Sequence, residues 1–358
     1  MASGNEFKDL LLLYRSIDHQ YKLHSYTEKK LKSIQKSLEL AEKDLLKELS
    51  LRDFRIPEGR EHALLKQLND MTFAIQAQLT GDIHEAVKVA GENAFREYGK
   101  ILSFDGALDN TVGFNYVELS PSQFNAMVTA PVGGQLLEKE VKKSFASNII
   151  DGIQTKLIAE NLKGVSTPQI IAKMEEAFGM ANRTAETLVR THIASINNRA
   201  AEDIYKANAD IVSKVEWSAT FEVAMNGRGT CLQCAALNGQ TWELKEEHPD
   251  PPIHPNCRCF ILPKTKSYKE LGLNIDEMER SLKPYTEREA NRKIIEAGQM
   301  SGESFEKFLN SRAEKYKKDL LGPSRYAMLK KGDVQFKDFV DKNGQLRLLT
   351  KDREGLKG

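Results

Sequence analysis

Cysteine is missing from all but one short stretch of this chain. The 358 residues contain four, at 231, 234, 257 and 259. Such sparse use excludes a disulfide-rich scaffold, in which cysteines are spread to staple a small core. Charge of one sign is also lacking. Lys and Arg total 52, Asp and Glu 51, and the net charge is +1. That balance excludes a generally polybasic nucleic-acid binder, so a nucleic-acid contact would have to come from a local patch. No apolar run approaches the ~18 residues of a membrane span. The N-terminus, Met1–Lys8, has no basic n-region, and Leu10–Leu13 is too short for a signal core, so the chain is expected to be soluble and not exported. A P-loop, G-x-S-x-G, G-x-G-x-x-G and H-E-x-x-H are all absent. What is present is 40% hydrophobic and 29% charged residues, which suits long, solvent-laced helices around modest cores.

Residues 1–100 carry helical periodicity. Leu31, Ile34, Leu38, Ala41 and Leu45 step by three and four, so a helix is expected over Tyr26–Leu51, ending before Pro57. A second is expected over Glu61–Thr80 and a third after Gly81, with Asp82 as its cap, to Tyr98. These three are expected to form an amphipathic bundle. Residues 101–135 are rich in Gly, Pro and aromatics. They read as an irregular linker with one short strand, Phe114–Leu119, and a hinge at Pro131–Gly134. Helical spacing resumes at Leu137, Val141, Phe145, Ile149, Ile153 and Leu157. It continues in a helix ending near Gly179, then in another carrying Ala185, Val189, Ile193, Ile196, Ala200 and Ile204. Residues 136–207 thus read as a three-helix unit. Strand patterns follow at Val212–Phe221, Gln240–Leu244 and Arg258–Leu262. Beyond Pro263 the chain reads as charged helix over 276–282, 286–297 and 303–320.

All four cysteines lie between the strand candidates. Cys231-x₂-Cys234 has the spacing of a metal knuckle, and His254-x₂-Cys257 repeats it after 19 intervening residues. The set Cys231, Cys234, His254 and Cys257 is expected to bind zinc, with Cys259 as the first substitute and His248 a weaker candidate. The rival readings are two disulfides or a group of packed thiols. Four protein ligands leave no open coordination position, so such a zinc would be structural. Zinc deaminase order fails, because the histidine follows the C-x₂-C. His254-Pro255-Asn256 resembles a His–Asn–His-type nuclease motif only faintly. His192 reads as a surface or interhelical side chain, with Arg190 and Asn197 as a polar pair to either side.

The segment Cys231–Pro263 resembles the signature of phage Mu F-like minor head proteins. The resemblance rests on Cys231, Cys234, Leu237, Gly239, Pro251, Pro252, His254, Pro255, Cys257, Arg258, Cys259 and Pro263. Arg190-Thr191 and Asn197 resemble that family's upstream helix. Leu321-Gly322-Pro323-Ser324-Arg325, Lys331-Gly332 and Phe339-Val340-Asp341 resemble its tail. His192 stands where the family usually has Glu, and Gly227-Arg228-Gly229 replaces an acidic residue before the first knuckle.

The resemblance implies a non-enzymatic virion component at the portal vertex, made in the host cytoplasm. Its partners would be the portal protein and major capsid or scaffold proteins. The expected fold is mainly α with a small β element. A helical region (1–100) and linker (101–135) precede a Mu F-like domain with its zinc-stapled module (136–265), and a charged helical tail follows (266–358). Residues 311–358 hold 13 Lys and Arg against 7 Asp and Glu. Arg312, Lys315, Lys317, Lys318, Arg325, Lys330 and Lys331 are therefore candidate contacts to packaged DNA, although a solvated charged face is the plainer reading. The alternative functions are a zinc-stapled nuclease and a DNA-binding zinc module.

Overall fold

Three long helices build the body: α1 (Gly4–Ser50), α2 (Glu61–Leu102) and α5 (Thr167–Ala207). The computed structural model describes residues 4–50, 61–103, 119–132, 136–145, 167–219, 230–267, 269–272, 314–339, 341 and 347. The Phe114–Leu119 strand, the Ile149–Leu157 stripe and the helices expected over 276–297 fall wholly or almost wholly outside these residues. Two shorter helices, α3 (Pro121–Val128) and α4 (Leu137–Phe145), pack beside the long ones. α6 (Leu232–Leu237) lies among strands β1 (Val212–Ser218), β2 (Thr241–Glu243) and β3 (Phe260–Thr265). α7 (Glu314–Lys331) and a short 3₁₀ turn (Phe336–Phe339) complete the described chain. The protein is mainly α with one small antiparallel sheet, as the sequence predicts.

The heptad-like seam of α1 does turn inward. Leu31, Ile34, Leu38 and Leu45 are buried against Leu79, Ile83, Val87 and Ala90 of α2 and Phe178, Ala181, Ala185 and Val189 of α5. The expected breaks at Gly81 and Gly179 are absent, and α2 and α5 each run unbroken through their glycine. A glycine inside a helix costs only about 1 kcal/mol. Burial of the apolar residues on both sides outweighs that cost. Residues 167–207 are thus one helix where two are expected. α1 also begins well before Tyr26, because Leu12 and Ile17 are buried in the cores that join the helices to the sheet. The supposedly irregular linker contains α3. Ser120 caps it, with Pro121 following and Gln123 returning to the Ser120 backbone N–H at 3.0 Å.

At Gly91, Ile196 of α5 and Phe124 of α3 pack against the backbone of α2. A Cβ there would stand 2.7 Å from Ile196 Cγ1 and 3.1 and 3.2 Å from the Phe124 ring. Gly91→Ala should therefore lose about 1 kcal/mol net, because overpacking costs ~1–3 kcal/mol and helix propensity returns about 1. Gly81 has no atom within 4 Å of such a Cβ, so Gly81→Ala should gain up to about 1 kcal/mol. Urea unfolding of both variants checks the opposite signs.

The sheet has the order β2-β1-β3, with both pairings antiparallel. In register, Val215 faces Trp242 on one side and Pro263 on the other, and Trp217 faces Ile261. Trp217, Tyr205, Tyr98, Leu237 and the cysteines share one core with Leu321, Val334 and Phe339. The latter three come from the C-terminal segment, which packs onto the sheet module. Its helix kinks at Gly322, whose φ of 75° is open to glycine, just before Pro323.

Candidate metal centre

Three pieces of chain meet at the cysteines. Cys231 caps α6, its Sγ accepting the Cys234 backbone N–H at 3.3 Å, so the first turn of the helix sets both thiols side by side. The loop before β3 supplies His254 and Cys257, and Cys259 immediately precedes the strand. Asn256 sits at φ 60°, a left-handed conformation that asparagine tolerates better than most residues. Helix α5 holds this loop. Thr191 Oγ1 accepts the Asn256 backbone N–H at 3.0 Å, and Thr187 Oγ1 accepts its side-chain amide at 3.2 Å. Asn198 donates to the Cys259 carbonyl at 3.1 Å and accepts the Ile261 N–H at 3.3 Å. No local pattern marks Thr187, Thr191 and Asn198 as supports, because each acts across more than sixty positions.

His254 Nε2 lies 3.1 Å from both Cys231 Sγ and Cys234 Sγ, and Cys234 Sγ lies 3.7 Å from Cys257 Sγ. Zinc–thiolate bonds of ~2.3 Å in a tetrahedron put two sulfurs about 3.8 Å apart, which the last distance matches. His254 Nδ1 faces the Pro255 carbonyl at 2.8 Å. Donation there leaves the Nε2 lone pair toward the sulfurs, the orientation a ligating histidine needs. The donors form two overlapping triads, Cys231–Cys234–His254 and Cys234–Cys257–Cys259. Within each, the ligand atoms lie within 4.8 Å of one another. Cys234 is common to both. All four cysteines are free thiols in the structure.

Crowding perturbs Cys231, Cys234, His254 and Cys257. Hydrogen bonding with Cys234 and then with His254 pulls the Cys231 thiol down to about 5. The Cys231 and Cys257 sulfurs draw His254 up to about 11. Cys234 is pushed up by the sulfurs of Cys231, Cys257 and Cys259 around it, while Cys257 is lowered, chiefly by Cys234. Neighbouring sulfurs thus compete for negative charge, and a divalent cation would relieve that competition. The donor chemistry fits a soft or borderline metal ion.

Residues 139–262 match the family model described as phage Mu protein F like protein. This segment is a Mu F-like domain. No curated protein and no solved structure matches the chain. The Mu F-like match suggests a phage head-morphogenesis protein, from a family that is in general structural. Among the described residues, no helix is long and apolar enough to cross a membrane.

Other candidates land elsewhere in and around the Mu F-like domain. His248 is apart from the thiols. Its side chain is only 4% exposed, and Nδ1 lies 2.9 Å from the Asp250 carboxylate. Arg190 and Asn197 take separate partners: Arg190 pairs with Glu186 and, at 2.8 Å, with Glu28, whereas Asn197 bonds to His19 and Tyr98. In the C-terminal segment, Lys318 and Lys330 both pair with Glu314, at 3.9 and 3.1 Å, and lie over the Tyr326 ring. Lys315 and Lys331 are exposed, Lys317 and Arg325 are half-buried, and Arg312 lies outside the described residues.

His192 is buried, with Nε2 3.3 Å from Glu140 of α4. Burial, with His84 and Arg199 nearby, lowers its pKa to about 4, so it is neutral at pH 7 and the contact is a hydrogen bond rather than an ion pair. An unfolded histidine titrates near ~6.5. This contribution to stability is complete above that value and is lost as pH falls toward 4, by about 2 kcal/mol at pH 5. Glu140 is raised by burial and opposes the loss once it protonates. Urea unfolding at pH 7 and 5 should show a smaller pH dependence in His192→Gln than in the parent.

Proposed function

We propose that this chain is a minor head protein of a phage virion. It is seated at the portal vertex, acts in head assembly and genome packaging or delivery, and forms in the host cytoplasm. The observation that carries the reading is the closed character of the cysteine centre within the Mu F-like domain. Its donors are all protein side chains turned toward one another, and three of the four thiols are buried. Zinc, held by Cys231, Cys234, His254 and Cys257 with Cys259 adjacent, would fix the loop of β3 to α6. No ligand position would then remain for substrate, so the ion acts as a staple.

The partners proposed are the portal protein and the major capsid or scaffold proteins. The long helices offer the contact area. Lys315 and Lys331, with Arg312, Lys317 and Arg325, supply the candidate contacts to packaged DNA. Pairing of Lys318 and Lys330 with Glu314 weakens the case for those two.

Cross-linking mass spectrometry on purified particles tests the assignment. The chain should be present in few copies and cross-linked to portal. Absence from particles overturns the reading. DNA cleavage by the purified chain with Mg²⁺, lost in a folded His254→Ala variant, would instead favour the nuclease.

A further inference from the structure

A second group of convergent donors lies apart from the cysteine centre. The loop after β2 folds back on the C-terminal part of α5 and encloses a cleft of about 790 Å³. Its wall contains Glu202 from α5 and His248 and Asp250 from the loop, and it shares no residue with the cysteine centre. One ligand atom from each of these three lies within 4.8 Å of the other two.

His248 sets this group apart from an ordinary acidic surface. Its side chain is more than nine-tenths buried, beside the Trp242 ring at 6.1 Å. Nδ1 faces two oxygens, Asp250 Oδ1 at 2.9 Å and the Pro249 carbonyl at 3.3 Å. Nδ1 and Asp250 Oδ1, 2.9 Å apart, have the separation of adjacent ligands on one ion, because two bonds of ~2.0–2.2 Å at right angles place their donors about 3 Å apart. Glu202 is held by Lys206 one helical turn on, and that ammonium is the cation a metal would displace. Two carboxylates would neutralise a divalent ion, and the imidazole nitrogen favours a first-row transition metal over Ca²⁺ or Mg²⁺.

We propose that Glu202, His248 and Asp250 form a second metal site, of nitrogen and oxygen donors, that takes a divalent first-row ion independently of the cysteine centre. The probe is Mn²⁺, which has little affinity for thiolate sites. It is added to the full chain already loaded with zinc, and free Mn²⁺ is counted by electron paramagnetic resonance. One Mn²⁺ per chain is expected. Glu202→Gln and Asp250→Asn should each weaken binding by roughly tenfold to a hundredfold. Asp250 is 58% exposed, so its variant should keep the fold, and far-UV circular dichroism verifies this. Lys206→Met should tighten binding by removing the competing ammonium, and Cys231→Ser should leave it unchanged. Absence of stoichiometric Mn²⁺ binding overturns the proposal, as does binding that Glu202→Gln and Asp250→Asn leave unaltered.

Discussion

Cys234→Ser is expected to melt the sheet module and leave the long helices standing. Cys234 belongs to both donor triads and is 2% exposed, so no neighbouring thiol can replace it without moving the α6 turn. Structural zinc contributes an apparent ~10–16 kcal/mol in small modules, as much as the whole stability of an ordinary domain. The chain carries two tryptophans, and both lie in this sheet: Trp217, fully buried, and Trp242, 7% exposed. Their fluorescence therefore reports the module alone. Cys234→Ser, or a strong chelator acting on the parent, should shift the emission to the red. Most of the far-UV helical signal, which α1, α2 and α5 dominate, should persist. Cys259→Ser should retain zinc if the centre uses Cys231, Cys234, His254 and Cys257. An unshifted Cys234→Ser spectrum and a parent indifferent to chelation would mean packed thiols in place of a metal centre.

Asn197→Ala should cost about 2–4 kcal/mol although it removes one small side chain. Its Oδ1 meets His19 Nε2 at 2.8 Å, and its amide donates to the Tyr98 hydroxyl at 3.0 Å, so one residue of α5 bridges α1 and α2. His19 is 4% exposed and Tyr98 is fully buried. Burial lowers the His19 pKa, so the ring is neutral and donates Nε2–H to the amide oxygen. Truncation strands a buried donor on His19, and Tyr98 keeps only the Gln20 amide at 3.0 Å. Each stranded buried group costs ~1–3 kcal/mol. Tyr98 also stands edge-on to His19 and Tyr205, with ring centroids 5.0 and 5.8 Å apart, so the loss should spread toward the sheet. Equilibrium urea unfolding followed by far-UV circular dichroism gives the number. A change below about 0.5 kcal/mol would mean that water satisfies the exposed groups.

Periodicity and knuckle spacing are local properties, and they were legible. The seam Leu31–Ile34–Leu38–Leu45, the strands around Val215, Trp242 and Ile261, and the convergence of Cys231, Cys234, His254 and Cys257 all follow from residues near one another in the chain or from a fixed ligand geometry. The capping pattern Ser120–Gln123 was equally readable and marks α3 inside a stretch whose Gly and Pro content pointed to a loop. Glycine misled at positions 81 and 179. Its local penalty of about 1 kcal/mol is decisive in an isolated helix and minor in one buried along its length.

The sequence by itself determined the helical periods, the strand patterns and the chemistry of the cysteine cluster. Tertiary structure alone decided what those parts touch. Asn198 and Thr191 hold the cysteine loop from a helix more than sixty residues away, and Asn197 joins three helices. His248 leaves the thiols for Glu202 and Asp250, and Leu321 and Phe339 close the core of the sheet. The physical reason is that a buried polar group must find a partner wherever the packing brings one. Apolar burial sets that packing without regard to distance along the chain.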